Sequence, residues 1–559
     1  MNNPESQRAL VFQGGGSLGA YEAGVFHVLY HWIKSRLEDE KKDENIFDVI
    51  AGTSIGAINA SIVVNCFLEN KYTDEFKSSN SNNSNKLKYW QGTPERLLDF
   101  WKKVSSYSTF FDTYLDYAKI FLDLNRGISE KIFPYFNQYI ATGESFRRYY
   151  STKNRILYGE PSVFFPLFFP PLATPLFNKF FDYFFPSAFW YQYSNSPLKD
   201  SILEDAKKII EYNSEIGEEK QKDNSKIDKK REKDPRLLLI AVDIENAKTK
   251  TFDSYSSTPI KIDHILASAA VPINYSYVQI DGHKYWDGGI LSNTPVRELL
   301  SEHSKYWTLN EYEEDKITKN NNNKEIILYQ KWQDYYDNIK KSNIPNLDLY
   351  IVNLFPDIEK NDKIPSLYDY DLTKDREKDI KLHDKTDYDI KIAQNISDYH
   401  DFVDEMTNLA KEAIEEIKED KDKVDKLKKE FEKIINKKQR TRTREGKLRF
   451  YYELIGKRFD IIKVVKIQRE DDIHTISEKT FDFSSQTISN LIEQGIMDTL
   501  EKLYQDQIEK LKNVDHDKKS TTTITKFKEW LNEYEKDIEE QNIKEPLKPV
   551  RDFKNKYRL

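Results

Sequence analysis

The sequence predicts an α/β fold: three layers, α/β/α, around a mainly parallel central sheet, with helical insertions. Three observations predict it. Short apolar segments end in glycine-rich turns, helical periodicity follows two of those turns directly, and the same buried-strand pattern returns late in the chain. With 559 residues the chain is longer than one core requires. Hydrophobic residues make up 38% and charged residues 32%, which excludes a wholly disordered chain and a membrane bundle. A net charge of -8 argues against a general nucleic-acid binder. The single cysteine, Cys66, excludes an intramolecular disulfide and a multi-thiolate zinc cage, and reads as a packed thiol.

Arg8 to Gln13 (RALVFQ) reads as the first strand, ending in Gly14-Gly15-Gly16. A helix is expected from Ser17, with Leu18, Tyr21, Val25, Val28 and Leu29 spaced by threes and fours. Ile46 to Ala51 is the next strand, broken by Gly52-Thr53-Ser54-Ile55-Gly56, and Ala57 to Cys66 continues as a small apolar helix. Ser78 to Asn85 is a polar loop, and Glu218 to Asp234 is a charged linker. Leu237 to Ile244 is again a buried strand, Ile262 to Ala270 a short helix, and Val278 to Asp287 a hairpin turning at Asp281-Gly282. Leu347 to Leu354 and Ile461 to Ile467 are further strands. Residues 400–437 suit long amphipathic helices, and Ser484 to Leu503 one more. The expected division is a core over 1–359 with a Phe/Pro-rich cap near 151–200, a charged helical insertion over 360–460, and a returning strand with core-packed helices over 461–559.

Chemistry concentrates at the glycine-rich turns. Ser54 stands between a buried strand and a buried helix, where a sharp turn lifts its hydroxyl clear of the sheet and Gly52 and Gly56 permit close packing. A plain turn serine is the alternative. Gly14-Gly15-Gly16-Ser17-Leu18-Gly19 also follows a strand, and two readings compete: a dinucleotide pyrophosphate cradle or an oxyanion hole of backbone N–H groups. No acidic residue closes the next strand, which ends instead at Ser54, and this favours the oxyanion hole.

None of the nine histidines announces itself as a base for Ser54. His27 and His31 have a metal-compatible spacing of four, but no carboxylate motif accompanies them, so a solvated helix face and no metal are expected. Asp287, in Trp286-Asp287-Gly288-Gly289 at a strand end, is better placed, with Gly288 and Gly289 permitting close backbone approach. An unperturbed aspartate, with a pKa of about 3.9, is a weak base at neutral pH, and desolvation would raise it.

These blocks, FQGGGSLGAYEAG (12–24), GTSIG (52–56) and ASAAVP…DGG (267–289), resemble the patatin-like phospholipases, in that family's order. Looser likeness runs through SNTPV (292–296), VNLFP (352–356) and 481–495. The resemblance implies a Ser54–Asp287 dyad without histidine, an oxyanion hole at Gly14, Gly15 and Gly16, and calcium-independent hydrolysis of lipid acyl esters through an acyl-enzyme, with no cofactor. Some family members carry Arg or Lys in the glycine loop; here Ser17 and Leu18 stand there, which leaves backbone amides alone for the oxyanion.

Residues 161–178 are uncharged, yet five prolines argue against a membrane span. Phe164, Phe165, Phe168 and Phe169 are expected in a lipid-facing cap. Arg440, Arg442, Arg444, Lys447 and Arg449 form a basic cluster able to touch anionic headgroups, or simply a solvated junction. The expected partners are lipid substrate and a membrane surface met peripherally, not nucleic acid, and an oligomer is not indicated. With no signal-peptide core in MNNPESQRAL, a cytoplasmic or peripheral membrane location is expected. A membrane-associated binding protein without catalysis is the alternative function.

Overall fold

The structure is a computed structural model. It describes residues 5–72, 86–105, 117, 119–120, 143–167, 193–207, 234–256, 258–316, 344–357, 370–416, 421–435, 437–442, 448–450, 459–471, 474–512, 519–541 and 543–559. The strands are β1 (Ser6–Phe12), β2 (Val49–Thr53), β3 (Phe165–Pro166), β4 (Tyr193–Ser194), β5 (Arg236–Asp243), β6 (Lys248–Asp253), β7 (Val278–Ile280), β8 (His283–Asp287), β9 (Asn346–Asn353), β10 (Lys438–Arg442), β11 (Leu448–Phe450) and β12 (Ile461–Gln468). The main helices are α1 (Gly19–Asp39), α2 (Ile55–Tyr72), α3 (Thr93–Ser105), α4 (Gly143–Tyr158), α5 (Ser196–Asp205), α6 (Ile262–Ser268), α7 (Val296–Lys316), α8 (Tyr370–Leu382), α9 (Asp387–Glu416), α10 (Lys421–Ile435), α11 (Ser485–Lys512), α12 (Lys519–Glu540) and α13 (Lys544–Tyr557).

The main sheet runs β12-β9-β1-β2-β5-β8-β7, with β6 also paired to β5. Its centre is parallel: β1 lies beside β2, and β2 beside β5. The central segments LVF, VIA and LLLIA are apolar without alternation because both faces are covered, and every residue in them is buried. Beyond β5 the sheet turns antiparallel. The β7–β8 hairpin turns on Asp281 and Gly282, both at positive φ, as a two-residue type I′ turn requires.

Several elements differ from expectation. β2 begins at Val49 rather than Ile46, although Ile46 and Phe47 are buried. β6 is not legible in the sequence, because KTKTFD pairs along β5 and most of its side chains are not buried. α3 is amphipathic, burying Leu97, Leu98 and Trp101, and its charged face masked that periodicity. His27 and His31, expected on a solvated face, are buried instead, because Trp530 and Tyr534 of α12 pack over α1.

The chain forms two compact units: 1–8, 296–349 and 385–464 in one, 9–295, 350–384 and 465–559 in the other. The stretch 360–460 is thus divided between them. In the first unit, α9 and α10 are consecutive helices, and β10 pairs antiparallel with β11 in the basic segment. In the second, α11 packs along α1 and carries α12 and α13. Among the described residues, no helix is long and apolar enough to cross a membrane.

Candidate active site

Ser54 is the single residue between β2 and α2, and it adopts φ 57. A left-handed non-glycine residue costs about 1–2 kcal/mol, so the surrounding contacts must impose it. A Cβ on Gly56 would stand 2.6 Å from the Phe12 carbonyl, and one on Gly52 would overlap the Gly56 carbonyl, so only glycines let this elbow close. The Ser54 carbonyl accepts from Ala57 N at 3.0 Å, which starts α2, and its amide donates to Ser268 Oγ at 3.0 Å. Ser268 Oγ in turn donates to the Ile240 carbonyl at 2.5 Å.

Asp287 ends β8, opposite Ala241 on β5, while Thr53 lies opposite Ile240 on the other side of the same strand. One strand therefore separates the two strand ends and holds them at adjacent levels of the sheet. The Asp287 amide donates to the Ala270 carbonyl at 2.9 Å. Its carboxylate accepts the Gly289 amide at 2.6 Å and lies close enough to the Ser54 side chain to feel its hydroxyl. The side chain is buried, and desolvation raises its pKa to about 6, against the lowering effect of the nearby Ser54 hydroxyl and Gly289 amide.

The glycine loop lies against the elbow: a Cβ on Gly14 would stand 3.0 Å from Ser54 Cβ and 2.5 Å from Asn293 Oδ1. The Gly14 amide donates to the Asn293 carbonyl at 3.2 Å, and Asn293 Nδ2 donates to the Gly14 carbonyl at 3.1 Å and to the Leu382 carbonyl at 2.9 Å. Gln13 clamps the other side, donating to Thr294 Oγ1 at 2.7 Å and accepting the Leu354 amide at 2.5 Å. Gly16 is at φ +59 against the Thr480 carbonyl. Among the described residues, the amides of Gly15 and Gly16 have no protein acceptor.

These groups open into a cavity of about 590 Å³. Ile55, Ile58, Val163, Phe164, Tyr193, Val271, Phe355, Phe481 and Phe483 make most of its wall apolar, with Lys153, Asp287, Lys378 and Glu478 as its charged members. Gly14, Gly15, Gly16, Ser54, Asp287 and Gly289 all line it. Gly52, Gly56 and Gly288 do not; they are packing positions behind it, and Gly288 lies against the Ile240 carbonyl.

Phe164 is buried in the cavity wall, with its ring against Tyr193, Phe481 and Phe483. Phe165 is 49% exposed and lies outside that wall. Phe168 and Phe169 fall outside the described residues. No histidine lines the cavity among the described residues. Asn293, Ser268 and Gln13 carry the site's hydrogen bonds, and the sequence offers no signal for them beyond their place inside the SNTPV, ASAAVP and FQGGGSLGAYEAG motifs.

One wall is braced by a buried ionic cluster. Lys479 Nζ donates to Asp375 at 3.2 Å, to Asp379 at 2.7 Å and to Asp471, which also pairs with Arg469. Asp375 and Asp379 belong to α8, whose terminal Leu382 carbonyl also accepts from Gln13 Nε2 at 3.1 Å. Ser17 Oγ donates to the Lys479 carbonyl at 2.8 Å.

A mixed α/β sheet with a serine elbow, an aspartate strand end and a glycine loop around one apolar cavity defines a phospholipase-like α/β protein. The family profile described as Patatin-like phospholipase matches residues 10–300, more than half of the chain. The chain belongs to the patatin-like phospholipase family. No curated protein sequence matches it. The crystal structure of VipD from Legionella pneumophila aligns over 99% of this chain and 80% of that one, at 12% identity and a TM-score of 0.26, too low to carry an argument.

Proposed function

We propose that the protein is a serine lipid acyl hydrolase that cleaves fatty-acyl esters of phospholipids or neutral lipids through an acyl-enzyme. The observation that carries this reading is that Ser54, on its strained elbow, the buried Asp287 carboxylate and the Gly14-Gly15-Gly16 loop line one apolar cavity. With a pKa of about 6, Asp287 is about nine-tenths ionised at pH 7, yet basic enough to take a proton in the transition state.

Ser54 Oγ attacks the ester carbonyl carbon while its proton passes to Asp287. The amides of Gly15 and Gly16 donate to the oxyanion; Gly14, already bonded to Asn293, mainly fixes the loop. Collapse breaks the C–O bond to the alcohol, which leaves with the proton from Asp287. Water then gives a proton to Asp287 and attacks the acyl-Ser54 ester. Collapse releases the fatty acid and returns the proton to Ser54 Oγ.

The apolar wall receives the acyl chain, each buried CH₂ contributing about 0.8 kcal/mol. The ends of the Phe/Pro-rich segment, including Phe164 and Tyr193, contribute to that wall, in keeping with a cap. A mixed lipid extract incubated with the pure chain should release free fatty acid, and a fluorophosphonate should label Ser54. Ser54→Ala and Asp287→Asn should each lose at least about a thousandfold in turnover while folding normally. Full activity in either variant would refute the dyad. A folded wild type that neither hydrolyses lipid nor reacts with the probe would instead favour a binding role.

A further inference from the structure

We propose that His27, His31 and Glu95 form a binding site for one divalent transition-metal ion of the zinc type, separate from the hydrolase site. His27 and His31 stand one turn apart on α1, their ring centroids 4.9 Å apart. Glu95 comes from the first turn of α3. One donor atom from each residue lies within 4.8 Å of the other two. His27 is 0% and His31 7% exposed. His27 Nε2, His31 Nε2 and Glu95 Oε2 are all buried without a hydrogen-bond partner. Three orphaned polar atoms converging in a folded core need a common partner.

The supporting contacts suit a metal. His27 Nδ1 lies 2.7 Å from the Tyr534 hydroxyl. A proton on Nδ1, donated to that oxygen, leaves the Nε2 lone pair turned to the site, as a second-shell partner does for a metal-bound imidazole. Burial holds His27 near a pKa of about 3 and His31 well below its ordinary value, so both are neutral ligands at pH 7. Two imidazoles and one carboxylate match zinc, not calcium or magnesium, which prefer oxygen. A cavity of about 490 Å³ is lined by His31 and Glu95, together with Gln91 and Lys34, giving a route of entry and room for a water as fourth ligand. The nearby lysines face carboxylates, Lys34 with Glu38 at 3.9 Å and Lys102 with Glu545 at 3.2 Å. The other convergent carboxylates, Asp375, Asp379 and Asp471, surround Lys479, so their cation is the protein's own ammonium.

The test uses the full chain stripped with a chelator and titrated with Zn²⁺ by calorimetry and with Co²⁺ by visible absorption. The expected result is one ion per chain, tetrahedral-type Co²⁺ bands displaced by Zn²⁺, and a rise in melting temperature. His31→Ala and Glu95→Gln should lose at least about a hundredfold in affinity, and Tyr534→Phe about tenfold. Ser54→Ala should bind as wild type does, so failure of the hydrolase reading leaves this result readable. Should His31→Ala not fold, Glu95→Gln and the wild-type Co²⁺ spectrum decide. No uptake by the wild type, or equal affinity in Glu95→Gln, overturns the site.

Discussion

Ser268 Oγ accepts the amide of Ser54 at 3.0 Å and donates to the carbonyl of Ile240 at 2.5 Å, tying the elbow to the neighbouring strand. Two residues later the Ala270 carbonyl accepts the amide of Asp287 at 2.9 Å. The last residue of α6 and the turn after it thus hold both residues of the proposed dyad. Removing the Ser268 hydroxyl takes away both hydrogen bonds, one of them in the buried sheet, at about 1–3 kcal/mol. Ser268→Ala should therefore melt lower and turn over about 10- to 100-fold more slowly, with fluorophosphonate labelling of Ser54 slowed in parallel. Wild-type kinetics in a folded Ser268→Ala protein would show that the elbow holds its shape without this bridge.

The raised pKa of Asp287 has a definite sign in both activity and stability. In the proposed dyad its ionised form is the base, so kcat/KM should fall about tenfold per pH unit below about 6 and level off above it. An inflection near the ordinary carboxylate value would show that burial is not governing the group. Because the folded pKa is raised, the folded state gains from protonation at low pH, and that gain is lost as pH rises through about 6. Relative to wild type, inactive Asp287→Asn should gain stability from about pH 4 to above pH 6, by up to about 3 kcal/mol, read by urea unfolding at several pH values.

The apolar cavity makes chain length a direct readout. Each further CH₂ of a soluble acyl ester should raise kcat/KM about fourfold until the cavity is filled. Phe164→Trp should bring that plateau to a shorter chain, with a stability loss of about 1–3 kcal/mol from overpacking. An unchanged chain-length profile would place the acyl chain elsewhere.

Lys479 is surrounded by Asp375, Asp379 and Asp471, all nearly inaccessible to solvent. Lys479→Met leaves those carboxylates uncompensated and should destabilise by about 3–5 kcal/mol, measured by thermal or urea unfolding. Lowering the pH should narrow the deficit, because protonation removes the stranded charges. Activity should fall too, since α8 carries two of these aspartates and its Leu382 carbonyl holds Gln13 and Asn293 beside the glycine loop.

The sheet's central strands were legible because LVF, VIA and LLLIA are apolar without interruption, a pattern that only two covered faces permit. The hairpin was legible from Asp281-Gly282. β6 and α3 were not, because polar and charged residues dominate sequences whose burial is one-sided. The residues of the site were legible as motif letters; the work of Ser268, Asn293 and Gln13 was not, since each acts through a hydrogen bond to a distant stretch of backbone.

By itself, the sequence determined which strand ends are candidates for chemistry, because glycine beside serine or aspartate at a strand end is a local signal. Only the tertiary structure decided that Ser54 and Asp287 line one cavity. Their strands flank β5, one parallel and one antiparallel, and strand order is a property of the packed sheet. It alone also decided that His27 and His31 are buried and that Glu95 joins them. Spacing along α1 sets which face the two imidazoles share, whereas the helices packed against that face, α3 and α12, set whether it meets water, a carboxylate or a phenol.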